Sequence, residues 1–391
     1  MSKRCYLLTI FLFVTWILHA SFATAQVSGR SVKMGAMLPL TGGMASWGKN
    51  QQIALEIARE EINASGGIGR VPLEIVTYDS QGDPKEAINV VKKLTQIEKV
   101  FIILGPTTTS ECEVVFPLAN QLKIVIVSPT SAAPGISGKN RPWPFRNSRT
   151  SDKKMDPAIK KWIDYYKIKT AVIIYDAKDA LAKSEATLVY PPILIKYGIK
   201  ILDNLTYVTG DIDFSAQITK INHLSPDGIL IGGNPVEAAN IVREARRQGM
   251  KQAFIGGGST CTADLIRLGG KDVEGFFSGT HVWIERPDAR MQKFVKNFMD
   301  KGKTILAGQK PDSGAVCIYD SVYITKEIIE KAKVTNRPDD LEKDREKIRD
   351  GWTNLTDFPG ITGLTTMDKF GDGAGDNYVL MVKNGEFVTV K

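Results

Sequence analysis

Across 391 residues, Lys and Arg number 51 against 43 Asp and Glu, a formal charge of +8. The signs are interspersed; even the densest stretch, 331–349, mixes them at helical spacing, which argues for a solvated helix face and against a nucleic-acid stripe. The length suits two domains of common size, and four widely spaced cysteines without a Cys-x-x-Cys exclude a zinc pattern and a disulfide scaffold.

The chain opens as an export signal. Lys3 and Arg4 form a basic start, residues 6–18 are almost wholly apolar, and Ala23-Thr24-Ala25 is a small-residue cleavage site before Gln26. The apolar core is short for a retained anchor, which needs about 20 residues. The expected signal peptide is therefore 1–25, and the mature chain, with a charge of +6 once Lys3 and Arg4 are gone, is expected outside the cytoplasm. No later segment is long and apolar enough to span a bilayer. Cys5 leaves with the signal, so at most one intramolecular disulfide can form among Cys112, Cys261 and Cys317. Buried free thiols are the equal alternative.

From residue 32, short β-branched segments alternate with amphipathic ones. Strands are predicted at 32–38, 73–78, 100–104 and 124–127. A helix over 51–63 buries Leu55, Ala58 and Ile62 and stops at Gly66-Gly67. Asp83 followed by Pro84 is an N-cap with a first-turn proline, opening a helix to residue 97. Ser110 and Glu113 read as a capping box for the next helix.

A second series follows the Pro- and Arg-rich stretch 141–149. Strands are predicted at 170–175, 200–205, 228–231, 253–255 and 275–279, with helices such as 235–248 between them. Two runs of βα units imply an α/β protein with two doubly wound, Rossmann-like lobes and parallel sheets. Helices at 314–332 and 341–354 come next. A terminal hairpin, 378–382 and 386–390, turns at Asn384-Gly385.

In open α/β sheets, ligands bind beyond the carboxyl ends of strands. The loop from Leu40 to Gly48 offers hydroxyls and Trp47. Gly105-Pro106-Thr107-Thr108-Thr109-Ser110 follows a buried strand and opens a helix, where free N–H groups favour an anion. Ser128-Pro129-Thr130-Ser131 repeats that chemistry at the next strand end. On the other lobe, Gly232-Gly233-Asn234 and Gly258-Ser259-Thr260 lie just past strands. Catalytic signals are missing. The mature chain keeps only His223 and His281, with no Gly-x-Ser-x-Gly elbow, His-Glu-x-x-His, Walker spacing or dinucleotide fingerprint. His281 follows a strand end and reads first as a structural or surface histidine, second as a ligand contact. The expectation is a binding protein, not an enzyme, with no cofactor or metal.

The chain resembles the solute-binding proteins of bacterial ABC importers in the branched-chain-amino-acid-binding family. The resemblance covers essentially the whole mature chain. It rests on Gly35-Ala36-Met37-Leu38-Pro39-Leu40-Thr41-Gly42, on Glu61-Ile62-Asn63-Ala64-Ser65-Gly66-Gly67-Ile68, and on Tyr78-Asp79-Ser80-Gln81-Gly82-Asp83-Pro84. Gly105-Pro106, Ser128-Pro129, Asp213-Phe214, Glu274-Gly275 and Tyr319-Asp320 extend it. It implies a type I periplasmic binding fold, with two lobes joined by three hinge crossovers near Arg149, Thr280 and Gly375. Lobe one would hold 26–149 and 281–375, and lobe two 150–280 and 376–391. It also implies a monomer that closes on a small molecule and presents it to a membrane permease. A sensing module of the same fold and a secreted enzyme are the competing classes.

By the same resemblance, Trp47 matches the family's cleft aromatic and Thr109 the hydroxyl that holds a ligand carboxylate. The next anchor falls at Ala132, with Ser131 beside it. The cleft tyrosine of lobe two falls near Ala180, and the acid that pairs a ligand ammonium falls at Gly258. The family's lobe-one disulfide positions fall near Gly82 and Thr108, so that bridge is absent. Asp176 or Asp179 is the expected substitute for the acid missing at Gly258. Candidate ligand residues are thus Trp47, Thr107, Thr108, Thr109, Ser110, Thr130, Ser131, Ala132, Asp176, Asn234, Gly258 and Ser259. The expected ligand carries a carboxylate and is a small organic or aromatic acid, or an amino-acid-like molecule.

Overall fold

The computed structural model describes residue 27 and residues 29–390; the export signal and its cleavage site lie outside the described residues. The first sheet contains β1 (Val32–Leu38), β2 (Leu73–Asp79), β3 (Ile102–Leu104), β4 (Val125–Ser128) and β5 (Pro144–Arg146), in the order β2-β1-β3-β4-β5 and parallel throughout. The central strands are buried on both faces, which is why they read as unbroken apolar runs rather than alternating ones. β5 lies inside the Pro- and Arg-rich stretch. Its arginine is buried and ion-paired, so the sequence there looks like a loop although it completes the sheet.

The second sheet contains β6 (Thr170–Asp176), β7 (Lys200–Tyr207), β8 (Gly228–Gly232), β9 (Ala253–Gly256) and β10 (Phe277–Thr280). The chain then returns to the first half. After β11 (Phe358–Gly360), β12 (Gly363–Met367) and β13 (Gly373–Ala374), which form a small antiparallel sheet, the terminal hairpin of β14 (Tyr378–Lys383) and β15 (Glu386–Thr389) joins the second sheet. β14 pairs antiparallel with β10, giving the order β15-β14-β10-β9-β8-β6-β7. The two doubly wound lobes expected from the βα alternation are therefore present.

The cores separate in the same way. One apolar cluster joins residues 27–145 to residues 282–367. Two others, on the faces of the second sheet, draw on residues 155–277 and on Val379 and Val382. The connecting segments are polar but buried. Arg146 Nε donates to Asp372 at 2.7 Å, and Arg149 Nη2 donates to the Ala374 carbonyl at 2.9 Å.

Three local readings need correction. The first helix spans Ala45–Ala64, one and a half turns earlier than its apolar stripe suggested. Gly48 lets that early turn press on the Pro39 carbonyl, where any Cβ would collide. The capping box belongs to Thr108 and Glu111, not Ser110 and Glu113. Thr108 Oγ1 accepts from Glu111 N, while the Glu111 carboxylate accepts from Thr108 N at 3.0 Å. The segment from Asp83 to residue 97 is helical, but its last turn widens into a π-helix over Lys93–Ile97. The cysteines Cys112, Cys261 and Cys317 are free thiols. Among the described residues no helix is long and apolar enough to cross a membrane, and no cluster of three His, Cys, Asp or Glu could hold a metal.

Candidate functional site

The carboxyl ends of both sheets face a common cleft, which holds a cavity of about 50 Å³. Ser46 Oγ, on the first helix, reaches across it to Asp264 at 3.0 Å. From the first half come Met44, Trp47, Thr107, Thr108, Thr109, Thr130, Ser131 and Ser313; from the second come Lys154, Asp179, Leu181, Glu185, Asn234, Gly258 and Ser259, with His281 at the crossover.

The first-half wall is a shelf of hydroxyls fixed by the strand ends. Gly105, at φ +112°, brings the chain against the Met37 carbonyl, a fit that a side chain would prevent. Ser128 Oγ then donates to the Pro106 carbonyl at 2.7 Å and accepts from Ser131 N at 3.1 Å, tying the two loops together. Thr109 Oγ1 and Ser131 Oγ hydrogen-bond each other at 3.0 Å, so one of the two keeps its proton for a ligand acceptor. Thr107 and Thr130 are committed, to Gln51 Oε1 and to the Thr107 carbonyl respectively. Thr108 is committed to its capping box. The shelf thus leaves Thr109 and Ser131, whose hydroxyls hydrogen-bond each other, as its ligand-facing pair.

The opposite wall carries charge. Lys154 sits in the first turn of the helix Ser151–Tyr166, on the same stripe as Met155, Ala158, Ile159 and Trp162. It is only 5% exposed. No acceptor among the described residues hydrogen-bonds its ammonium, and burial pulls its pKa down to about 8 despite the nearby Glu185 carboxylate. Glu185 is buried too, and accepts from Ser151 Oγ at 2.7 Å and Tyr190 OH at 2.9 Å. Burial raises its pKa even so. Asp179 is likewise raised by burial, and accepts from Ala182 N at 2.7 Å as the cap of the next helix. His281 is held neutral by burial and by Lys154 and Arg149; its Nε2 lies 3.0 Å from Cys317 Sγ.

Gly258 explains how a lysine fits. A Cβ there would stand 3.3 Å from Lys154 Nζ, and a Cβ at Gly257 would overlap the Glu185 carboxylate. The missing side chains at these two glycines leave room for a cation and a carboxylate reaching in from other helices.

Of the residues predicted from sequence, Trp47, Thr107, Thr108, Thr109, Thr130, Ser131, Asn234, Gly258 and Ser259 come together around the cavity. Ser110, Ala132 and Asp176 are not among its lining. Ser110 is the second residue of a helix. Ala132 is buried behind the shelf, its carbonyl accepting from Ser151 N at 2.8 Å. Asp176 turns into its own strand-end loop, accepting from Lys178 N at 2.9 Å and from Thr209. Asp179, the other acid weighed, does line the cleft; at the position after Ala180, Leu181 lines it. Lys154 and Glu185 were missed. Their signal is a charge on an otherwise apolar helical stripe: Lys154 with Met155 and Ala158, Glu185 with Ala182, Ala186 and Val189.

Thr109→Ala removes one hydroxyl of that pair. If a ligand carboxylate rests there, the loss is about 1.5–3 kcal/mol, or roughly 10- to 150-fold in Kd. Calorimetric titration measures it, and an unchanged Kd would place the carboxylate elsewhere.

Comparison with known proteins places this cleft in a wider group. A family model described as periplasmic binding protein matches residues 31–386. The leucine-, isoleucine-, valine-, threonine- and alanine-binding protein of Pseudomonas aeruginosa is 27% identical over 356 residues, 90% of each chain. A leucine-binding protein from Thermotoga maritima superposes with a TM-score of 0.82 at 25% identity, covering 92% of this chain and 98% of that one. A Rhodopseudomonas palustris solute-binding protein of an ABC transporter, solved with benzoate, gives 0.80 at 19% identity, covering 92% and 95%. With its model matched over nearly the whole described chain, and relatives aligned end to end, this protein belongs to the periplasmic binding protein family.

Proposed function

We propose that this protein captures a small carboxylate-bearing molecule in the cleft and delivers it to the permease of an ABC importer. The observation that carries the ligand class is Lys154, a buried ammonium facing the cavity with no acceptor among the described residues. A buried cation is costly unless paired, and a ligand carboxylate supplies the partner. The hydroxyls of Thr109 and Ser131 offer a second polar anchor. Relatives of this fold solved with isoleucine and with benzoate bracket the chemistry, from amino acid to organic acid. Lys154 favours the acid side of that range, because a ligand ammonium would face a like charge.

In this reading the lobes are 26–149 with 281–375, and 150–280 with 376–391. The separate apolar cores support that division. The protein acts as a monomer after export and loss of residues 1–25. Mass spectrometry of material purified under non-denaturing conditions tests the reading. A retained, chemically unchanged anion supports capture. A retained cation, or conversion of an added acid, overturns it.

A further inference from the structure

The cleft does not end at this cavity. A second cavity of about 320 Å³ lies along the same seam between the lobes. Ser313 lines both, and the chain passes directly from one to the other at Ser259 to Cys261 and at His281 to Val282. The second cavity is walled by Ile266, Val282, Trp283, Ile284, Leu380 and Phe387, from both sides of the seam. Arg267, Glu285, Lys310, Asp312 and Glu386 also line it, Lys310 pairing with Glu285 and Glu386 at one rim. Thr262 is 8% exposed, and its hydroxyl has no hydrogen-bond partner among the described residues.

Size separates the two spaces. An apolar cavity of about 150 Å³ takes benzene. The cleft's 50 Å³ is well below that, and the second cavity's 320 Å³ is well above. The first therefore suits a head group, and the second suits a ring or alkyl chain. We infer that the ligand is an elongated acid, with its carboxylate at Lys154 and Thr109 and an apolar tail passing Ser313 into the cavity walled by Ile266 and Trp283. This rests on the carboxylate reading of the cleft. It adds a specificity site formed only when both lobes meet, so tail and head together would hold the closed form.

Titration of the mature protein with acetate, butyrate, hexanoate and octanoate tests it, acetate being small enough for the head-group space alone. Each buried methylene is expected to tighten binding about fourfold, at a stoichiometry of one. Ala263→Phe, which adds a ring to the cavity wall, should flatten that gain while leaving acetate unchanged. Ile266→Ala, which removes wall contact without filling space, should weaken octanoate several-fold more than acetate. Retained acetate binding also reports that each variant is folded. If acetate binds but length adds nothing, or if a second equivalent binds independently, the tail site is wrong and the carboxylate reading stands. If none of the acids binds, both fail.

Discussion

Replacing Lys154 with Met is expected to weaken a carboxylate ligand by roughly 30- to 5,000-fold in Kd, the equivalent of about 2–5 kcal/mol for truncating one partner of a buried charge pair. The free protein should not lose stability, because the substitution removes a buried cation that no acceptor hydrogen-bonds among the described residues. That contrast separates a ligand-facing role from a structural one. A pH profile provides an independent check. The folded-state pKa of Lys154 is pulled down to about 8 from an ordinary 10.5, mainly by burial. Below pH 8 the ammonium is present in the free protein, and an anion binds without proton uptake. Above pH 8 the anion must draw a proton onto the lysine, so affinity should fall by up to tenfold per pH unit. Stability of the free protein moves the other way. Between about pH 8 and 10.5 the unfolded chain holds a proton that the folded chain lacks, so this group makes the fold more stable as pH rises. Lys154→Met should abolish both slopes. Calorimetry from pH 7 to 9.5 reads the first, and denaturant titration reads the second. Affinity that rises with pH in the wild type would mean that the lysine repels the ligand.

The architecture was legible because it rests on periodicity. Buried parallel strands must be apolar on both faces, and helices that cover them must be apolar on one, so the inner strands β1, β3, β4, β6, β8, β9 and β10 appear as short apolar runs bounded by turns, while the edge strands β2 and β7 show through as more mixed segments. β5 did not, because Arg146 is buried by pairing with Asp372, a residue 226 positions away. The hydroxyl shelf was legible for a related reason: strand-end loops fall in the cleft by topology, and Thr109 and Ser131 lie on them. Lys154 and Glu185 reach the cleft from helical turns instead. Their presence depends on space left by Gly257 and Gly258 a hundred residues or so away in sequence for Lys154, and about seventy for Glu185. Pairwise space of that kind has no local sequence signature. Asp176 is absent from the cavity lining for the opposite reason. It sits at a strand end, as a ligand residue should, but its carboxylate is consumed by Lys178 N, Asp179 N and Thr209.

Leucine is expected to bind much more weakly than its 2-oxo analogue, by at least about tenfold, since a single unfavourable charge contact of about 1.4 kcal/mol suffices for that. By the family resemblance, the acid expected to pair a ligand ammonium falls at Gly258, and the space beside Gly258 holds a cation, Lys154. The cleft does retain carboxylates, so the outcome turns on whether either is free. Glu185 already accepts from Ser151 and Tyr190, and its nearest countercharge is Lys154 itself. Asp179 is engaged as a helix cap, and burial raises its pKa. An incoming ammonium would have to displace these donors while facing Lys154, whereas a 2-oxo group asks for neither. The side chains of the two molecules are identical, so a difference in Kd reports the head group alone. Lys154→Met should then narrow the gap: both molecules lose the carboxylate's partner, but only leucine is relieved of a like charge beside Glu185, so the 2-oxo analogue should lose more than leucine. Paired titrations of wild type and variant decide the matter. Submicromolar leucine binding to the wild type, lost in Glu185→Gln, would show that Glu185 has taken over the ammonium and that the protein is an amino-acid binder after all.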